Sequence, residues 1–322
     1  MGRATYLHHT LHKDTLCLWF CLVLCISIPF HTAIAQKVTT SNPHFTPTEI
    51  WESGLPYIEN YTPGDYKSSP QSWAFTEGSD GFLYTANTNG VLQYDGATWT
   101  IISLPNKGLV RSIAASANEK VYVGGVNELG YLAPDTVGKM QFYSLKPFLE
   151  EEYREFRDVW AIIIINDLVY FQFRNALFRW DGKAFKVWKP KEKFGNIFKI
   201  GNDIYIDSKG VGILKIEGDV LNLIPGGELV NQDRAKTEGI LSHKDNNLLL
   251  INARFGMSIL DGKQITRFNP ESNAIFQKNR IYKSIRLSTG DYAMATCTTG
   301  LYIVNGQTGA IKKRIGKKQG LI

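Results

Sequence analysis

A short strand motif that closes on glycine recurs six times along this chain, and it constrains the fold more than any other feature. Most copies read as a β-strand opened by a glycine and followed by an acidic or amide residue and then Gly. The closing glycines are Gly96, Gly138, Gly182, Gly218, Gly262 and Gly306, so the steps between copies are 42, 44, 36, 44 and 44 residues. A period of about 40 to 45 residues built from short strands indicates a β-propeller.

The first unit shows the plan of one blade. Residues 72–75 and 82–86 predict two strands that are separated by a Gly-Ser-Asp-Gly turn. Residues 90–94 and 98–103 predict two more strands, joined by an Asp-Gly pair that favours a tight hairpin turn. Later units repeat this plan, and only residues 147–156 suggest one or two helical turns. We therefore predict an all-β protein of four-stranded blades, with six blades present.

Both ends of the repeat region predict that the ring is incomplete. Residues 318–322 read as the start of another unit, and residues 55–61 predict a strand that has no blade of its own. Ring propellers often pair an N-terminal outer strand with C-terminal inner strands, because closure protects the sheet edges. We predict a propeller over residues 54–322 that forms an incomplete seven-bladed ring.

The first 35 residues have the pattern of an export signal. Basic residues precede an apolar run over residues 16–30, and residues 33–35 (Ala-Ile-Ala) supply a cleavage site of the small-x-small type. The apolar run is shorter than the ~20 residues of a membrane-spanning helix. We predict a signal peptide over residues 1–35, a linker over residues 36–53 and an exported, periplasmic protein; an uncleaved anchor is the alternative.

Charge and cysteine content argue against two classes of protein. The formal net charge is +6, and the only basic cluster lies in residues 312–318 near the C-terminus. A nucleic-acid-binding protein would carry a basic stripe on a folded face, so we predict no nucleic-acid partner. Cys297 is the only cysteine after the predicted signal peptide, which excludes an internal disulfide and leaves stability to packing.

The sequence contains no catalytic or metal-binding motif. After the signal peptide only His44 and His243 remain, both interpreted as surface residues, and no His or Cys pair has a chelating spacing. We predict no catalytic residue, no metal and no cofactor. The alternative is a propeller enzyme acting on polysaccharide, a glycosidase or lyase, because glycoside hydrolysis needs two converging carboxyl groups. Glu128, Asp158 and Glu238 are the candidates for such a pair.

Polar residues recur in the connection between the second and third strands of the blades. These connections lie on one face of a propeller, so their side chains should form a partial ring. The ring would contain Asn87, Asn127, Arg174, Lys209 and Arg254. Its basic members favour an anionic or hydroxyl-rich ligand, although loops are also polar without any function. Trp73 and Trp160 lie on innermost strands, where they would either stack on a ligand or pack between blades.

The first unit resembles a known repeat family. Residues 80–87 (Asp-Gly-Phe-Leu-Tyr-Thr-Ala-Asn) and 90–96 (Gly-Val-Leu-Gln-Tyr-Asp-Gly) are similar to the two-component-regulator propeller repeat. Residues 54–61 resemble the start of the exported sensor region in such bacterial regulators. The resemblance covers about residues 50–322 and is looser after the first unit: the second unit has extra residues before Gly138, and Asn305 replaces Asp in the sixth.

The resemblance implies a function in sensing. It suggests a periplasmic module of a transmembrane regulator that binds a small molecule or an oligosaccharide, such as a glycan fragment, without chemistry. Regulators of this group continue into a second propeller, a triple-tyrosine domain, a membrane span and a cytoplasmic output module. The triple-tyrosine, kinase and helix-turn-helix output parts are not found in the present sequence. A homodimer is a further partner that the resemblance allows.

Overall fold

The recurring acidic-glycine pair closes the hairpin between the third and fourth strands of a blade. In the computed structural model, which describes residues 5–6, 58–231, 236–252 and 254–321, the Asp95 carboxylate accepts the backbone N–H groups of Ala97 at 2.8 Å and Thr98 at 2.7 Å. The Thr98 hydroxyl and these N–H groups lower the pKa of Asp95 to about 2. Gly96 follows with a φ of 98°, which a side chain would disfavour. The same cap recurs at Asp181, Asp261 and Asn305.

The strands pair in chain order into six four-stranded antiparallel sheets, which we call blades I to VI. Two short strands precede them, β1 (Thr5–Tyr6) and β2 (Glu59–Asn60). Blades I to III contain β3 (Ser72–Glu77), β4 (Leu83–Asn87), β5 (Gly90–Tyr94), β6 (Trp99–Ile102), β7 (Val110–Ala115), β8 (Val121–Gly125), β9 (Leu129–Pro134), β10 (Met140–Ser144), β11 (Ala161–Ile165), β12 (Leu168–Gln172), β13 (Leu177–Trp180) and β14 (Phe185–Trp188). Blades IV to VI contain β15 (Phe194–Ile200), β16 (Asp203–Ser208), β17 (Gly212–Glu217), β18 (Val220–Leu223), β19 (Thr237–Ser242), β20 (Leu248–Asn252), β21 (Gly256–Leu260), β22 (Ile265–Arg267), β23 (Ile281–Arg286), β24 (Tyr292–Thr296), β25 (Leu301–Val304) and β26 (Ile311–Ile315).

Consecutive blades pack face to face around a central axis. The innermost strands β3, β7, β11, β15, β19 and β23 each contact the next one in this order. Hydrophobic clusters fill the junctions: Tyr84 and Val91 of blade I pack against Val110 and Val123 of blade II, and similar clusters follow at the other junctions. The arrangement is a six-bladed β-propeller, which confirms the predicted all-β fold.

The segment before blade I is attached to that blade. The Tyr61 and Tyr66 rings pack on Trp99 with centroid distances of 5.3 and 5.7 Å. The strand β2 pairs with β1 and with no strand of blades I to VI. Its link to the C-terminal end is a hydrogen bond from Asn60 Nδ2 to the Gly320 carbonyl at 3.2 Å. Residues 55–57 lie outside the described residues, and the seventh blade stays a prediction.

Helical segments are few and short in the part of the chain that the structure describes. The turns predicted over residues 147–156 are confirmed as two 3-10 helices, Lys146–Phe148 and Glu151–Tyr153. Three more 3-10 segments are Gly227–Asn231, Lys244–Asn246 and Lys317–Gln319. The α-helices within the described residues are α1 (Pro63–Tyr66) and α2 (Pro270–Lys278), which the sequence analysis did not predict.

His243 is buried, so its interpretation as a surface residue is wrong. Its Nδ1 lies 2.8 Å from the Tyr292 hydroxyl, and its ring centroid lies 5.1 Å from that of Phe268. Its Nε2 has no hydrogen-bond partner among the described residues. Burial lowers the pKa of His243, and the nearby cations Lys244 and Arg286 lower it further. The imidazole is therefore held neutral inside the fold.

Acidification from about pH 7 to about pH 5 is expected to destabilise the protein through His243. The unfolded chain binds a proton near the ordinary histidine pKa of ~6.5, whereas the folded chain binds it only at lower pH. The unfolded state then carries more protons in this window, so the free energy of unfolding falls as the pH falls. Urea unfolding of the wild type and His243→Gln at both pH values measures this effect. An equal loss of stability in both proteins would contradict it.

Candidate ligand-binding site

Most innermost strands have an irregularity in their pairing near the start of the strand. The pairing register shifts there in five blades, and the residues passed over include Trp73, Arg111, Asn196, Glu238 and Tyr282. Such β-bulges re-aim side chains and are frequent beside functional sites. Trp160 takes the corresponding place in blade III. It directly precedes β11, and its backbone N–H donates to the Gln172 carbonyl of β12 at 2.8 Å.

Four side chains from blades I to III form a continuous stack. The Cζ atom of Arg111 lies 4.1 Å from the ring centroid of Trp73 and 4.6 Å from that of Trp160. The Cζ atom of Arg174 lies 4.4 Å from the Trp160 centroid. We call Trp73, Arg111, Trp160 and Arg174 the Trp/Arg stack. Each cation over a ring contributes ~0.5–1 kcal/mol when exposed and more when desolvated.

Asp158 holds the central arginine of the stack. Arg111 Nε donates a hydrogen bond to Asp158 Oδ1, and the two side chains are only 17% and 19% exposed. Asp158 is itself fixed by a β-bridge to Val126. A partly buried ion pair of this kind keeps the guanidinium in one position between the two indole rings.

The stack is accessible at one end. Trp73 is partly buried, and its Nε1 has no hydrogen-bond partner among the described residues. Trp160 is 37% exposed and Arg174 is exposed. An indole surface beside a guanidinium with free donors can stack on a sugar ring or a planar group and can hydrogen-bond to hydroxyl or anionic oxygens.

The other basic residues of the predicted ring lie apart from this stack. Lys209 is exposed, and its Nζ lies 3.4 Å from a Glu192 carboxylate oxygen. Arg254 is also exposed and lies over the Phe255 ring at 5.2 Å. The structure thus brings Arg174 together with Trp73 and Trp160, whereas these two cations have separate partners.

The side chains of the two predicted amide residues hydrogen-bond to other residues of the protein. Asn87 is fully buried, and its Nδ2 donates to the Ser69 carbonyl at 2.8 Å, so its prediction as a rim residue is wrong. Its side chain instead anchors the segment that enters β3. Asn127 Oδ1 accepts a hydrogen bond from Lys146 Nζ at 3.1 Å, and its Nδ2 donates to Glu155 at 3.0 Å. Asn127 therefore fixes the loop between blades II and III.

Arg111 was not predicted as a binding residue, although it is central to the stack. Arg111 is the second residue of β7, as Trp73 is the second residue of β3. A comparison of the innermost strands would have found this equivalence. The sequence analysis compared the connections between second and third strands instead.

The opposite half of the ring carries mutually paired charges. Glu238, whose side chain is 5% exposed, accepts hydrogen bonds from Lys236 Nζ at 2.8 Å and from Arg280. Burial opposes ionisation of Glu238, but these bonds outweigh it and lower its pKa. Asp207 accepts the Thr237 N–H at 3.3 Å, and burial raises the pKa of Asp207.

The three carboxylates of the enzymatic alternative are held by different partners. Glu128 accepts a hydrogen bond from Ser144 Oγ at 2.6 Å, Asp158 is paired with Arg111, and Glu238 is paired as described. Among the described residues no group of His, Cys, Asp and Glu could hold a metal ion. Within the same residues no helix has the length and apolar character that crossing a membrane requires.

The fold and this ring of inner-strand residues define the chain as a β-propeller domain. No family model matches the sequence, and no curated protein is similar to it. Among solved structures, the chain is similar to the extracellular domain of a putative hybrid two-component system from B. thetaiotaomicron, with 16% identity and a TM-score of 0.57 over 76% of this chain. The match covers 33% of that domain, so the chain spans about a third of its length.

Propellers with other functions are similar to a comparable degree. Virginiamycin B lyase from Staphylococcus aureus matches with 15% identity and a TM-score of 0.56, over 76% of this chain and 84% of the lyase. The WD40 propeller domain of Doa1 matches with 11% identity and a TM-score of 0.57, over 76% of this chain and 85% of the domain. Identities this low show a common fold and leave the function to be argued from the site.

Proposed function

We propose that this chain is a ligand-sensing propeller of an exported signalling regulator and binds a small molecule or glycan fragment at the Trp/Arg stack without chemistry. The observation that carries the proposal is the position of this stack. It crosses two blade junctions, is fixed by Asp158, and ends in the half-exposed Trp160 beside Arg174. A ligand bound at the Trp160 end of the stack would contact a row of packed side chains that connects three blades.

The similarity to an extracellular domain of a two-component system supports this proposal at the level of the fold. In the proposed protein the propeller lies in the periplasm, and a second propeller, a triple-tyrosine domain and membrane-spanning output parts follow it. Homodimerisation would then carry the signal across the membrane.

The proposal predicts that two stack residues control the response to ligand. In the full-length receptor, Trp160→Ala and Arg174→Ala should each shift the dose response to an activating oligosaccharide at least ~10-fold to higher concentration, which corresponds to the loss of one stacking or charge-assisted contact. The measurements are reporter output against a panel of neutral and acidic oligosaccharides, and the melting temperature of the exported region. Arg174 is exposed, so Arg174→Ala should change the melting temperature little. Trp160 is 37% exposed and contacts Arg111 and Arg174, so Trp160→Ala should also lower the melting temperature.

Arg254→Ala is the matched control. Arg254 lies in the corresponding connection of blade V and also covers an aromatic ring, but it is not part of the stack. Its dose response should equal that of the wild type. An unchanged response in the Trp160→Ala/Arg174→Ala double variant would move the ligand site away from the stack.

A polysaccharide-active enzyme is the second candidate, and one observation favours it. The pKa of Asp207 is raised and that of Glu238 is lowered. The Asp207 carboxylate accepts the Thr237 N–H, and the neighbouring Glu238 accepts a hydrogen bond from Asn196 Nδ2. Two carboxyl groups whose pKa values are shifted in opposite directions are the pattern of a general acid and a general base. Release of reducing or unsaturated ends from polysaccharide that disappears in Asp207→Asn would favour the enzyme over the sensor.

A further inference from the structure

A cavity of about 430 Å³ lies on one face of blade V, at its junction with blade IV. The 3-10 segment Gly227–Asn231 contributes the apolar side chains of Leu229 and Val230. The sheet contributes side chains from β20, β21 and β22, the last of which supplies exposed residues. This volume is in the range of small-ligand sites.

One hydroxyl group that lines this cavity makes no hydrogen bond with the described residues. Ser258 is 8% exposed, lines the cavity, and its Oγ makes no hydrogen bond with the described residues. It lies between Leu250 and Arg267 in the pairing register of the sheet, so these three side chains share one face. The Ser258 hydroxyl is therefore available to donate a hydrogen bond to a bound polar group.

The charge around the cavity is positive. Arg267 and Lys263 line it, and neither forms an ion pair with the described residues. The Arg267 Cζ atom lies 5.8 Å from the Phe255 ring centroid, which holds the guanidinium beside the opening. No carboxylate is found among the described residues that line the cavity.

We propose that this cavity binds a small organic carboxylate with a flat apolar body, at a site separate from the Trp/Arg stack. The carboxylate accepts hydrogen bonds from the Arg267 guanidinium and the Ser258 hydroxyl. The body of the ligand packs against Leu250 and the Phe255 ring, and Lys263 adds to the attraction at the opening. One ligand would then contact the Ser258 hydroxyl and both unpaired cations.

Three probes of the same shape and different charge test the proposal: benzoate, benzamide and benzylamine. Titration calorimetry on the purified chain should give benzoate a Kd of about 1 mM or tighter, whereas benzamide should bind at least ~10-fold more weakly and benzylammonium not at all. Arg267→Gln should weaken benzoate binding at least ~10-fold, the loss of a charge-assisted contact. Ser258→Ala should weaken it about 3-fold with an unchanged or higher melting temperature, because an unpartnered hydroxyl is removed.

Arg314→Gln is the matched control. Arg314 lies on the outermost strand of blade VI, 5.8 Å from the Tyr302 ring, as Arg267 does from Phe255, but its Nε donates to the Thr299 carbonyl. Benzoate should bind this variant as it binds the wild type. The proposal is overturned if benzoate does not bind, if benzylammonium binds as tightly, or if Arg267→Gln binds benzoate unchanged.

Discussion

Gly300→Ala is expected to lower the free energy of unfolding by at least ~3 kcal/mol, because the new methyl group would strike the backbone. Gly300 opens the third strand of blade VI with a φ of 96°, and a Cβ there would lie 2.2 Å from the Ile315 carbonyl oxygen. That carbonyl belongs to the end of the fourth strand, so relief would require the two strands to separate. Urea unfolding followed by far-ultraviolet circular dichroism measures the loss.

Gly96→Ala separates this clash from backbone strain. Gly96 has a φ of 98°, close to that of Gly300, but a Cβ at this turn would meet nothing within 4 Å. The expected loss is therefore only ~1–2 kcal/mol, the cost of a left-handed conformation for a residue with a side chain. Equal losses in the two variants would show that the close approach to Ile315 does not matter.

Arg111→Met is expected to lower the free energy of unfolding by about 3 kcal/mol, since it leaves the partly buried Asp158 carboxylate without its partner. The substitution also removes the cation from between the Trp73 and Trp160 rings. The loss should exceed that of an ordinary surface pair because the Arg111 and Asp158 side chains are only 17% and 19% exposed. Thermal and urea unfolding of the purified chain provide the measurement.

Two further variants decide how this loss arises. Asp158→Asn combined with Arg111→Met should recover part of the stability, because no unpaired charge then remains buried. Lys209→Met serves as the control: Lys209 and Glu192 are 72% and 51% exposed, so breaking this pair should cost less than ~1 kcal/mol. A loss in Arg111→Met no larger than in Lys209→Met would contradict a structural role for the stack.

The fold could be predicted from the sequence because its signals are local. Asp95 accepts hydrogen bonds from residues two and three positions later, and Gly96 supplies the positive φ, so the same two letters mark the same turn in several blades. The repeat of that turn located the four strands of each blade. The glycines that precede or open the third strands are also needed locally. Gly90 and Gly300 both face a carbonyl of the fourth strand in their own blade, where a Cβ would clash.

Helix α2 could not be predicted, because it depends on contacts beyond its own sequence. Phe276 is its only buried hydrophobic residue, so no apolar period marks it. Asn269 caps its start through the Ser272 N–H at 2.9 Å, and Asn273 bonds both the N–H and the carbonyl of Met257 at 2.7 and 2.8 Å. These bonds join the helix to blade V and require the blade to be in place.

The sequence by itself determined the class of fold, the six repeat units and the turns that close them, because those features depend on residues only a few positions apart. The tertiary structure alone decided which polar side chains form a site. Asn87 is buried inside its own blade. Arg111 is 47 residues from Asp158 in the chain, yet it contacts that carboxylate and two tryptophan rings. Such contacts arise only when neighbouring blades pack, since packing brings the starts of different innermost strands together.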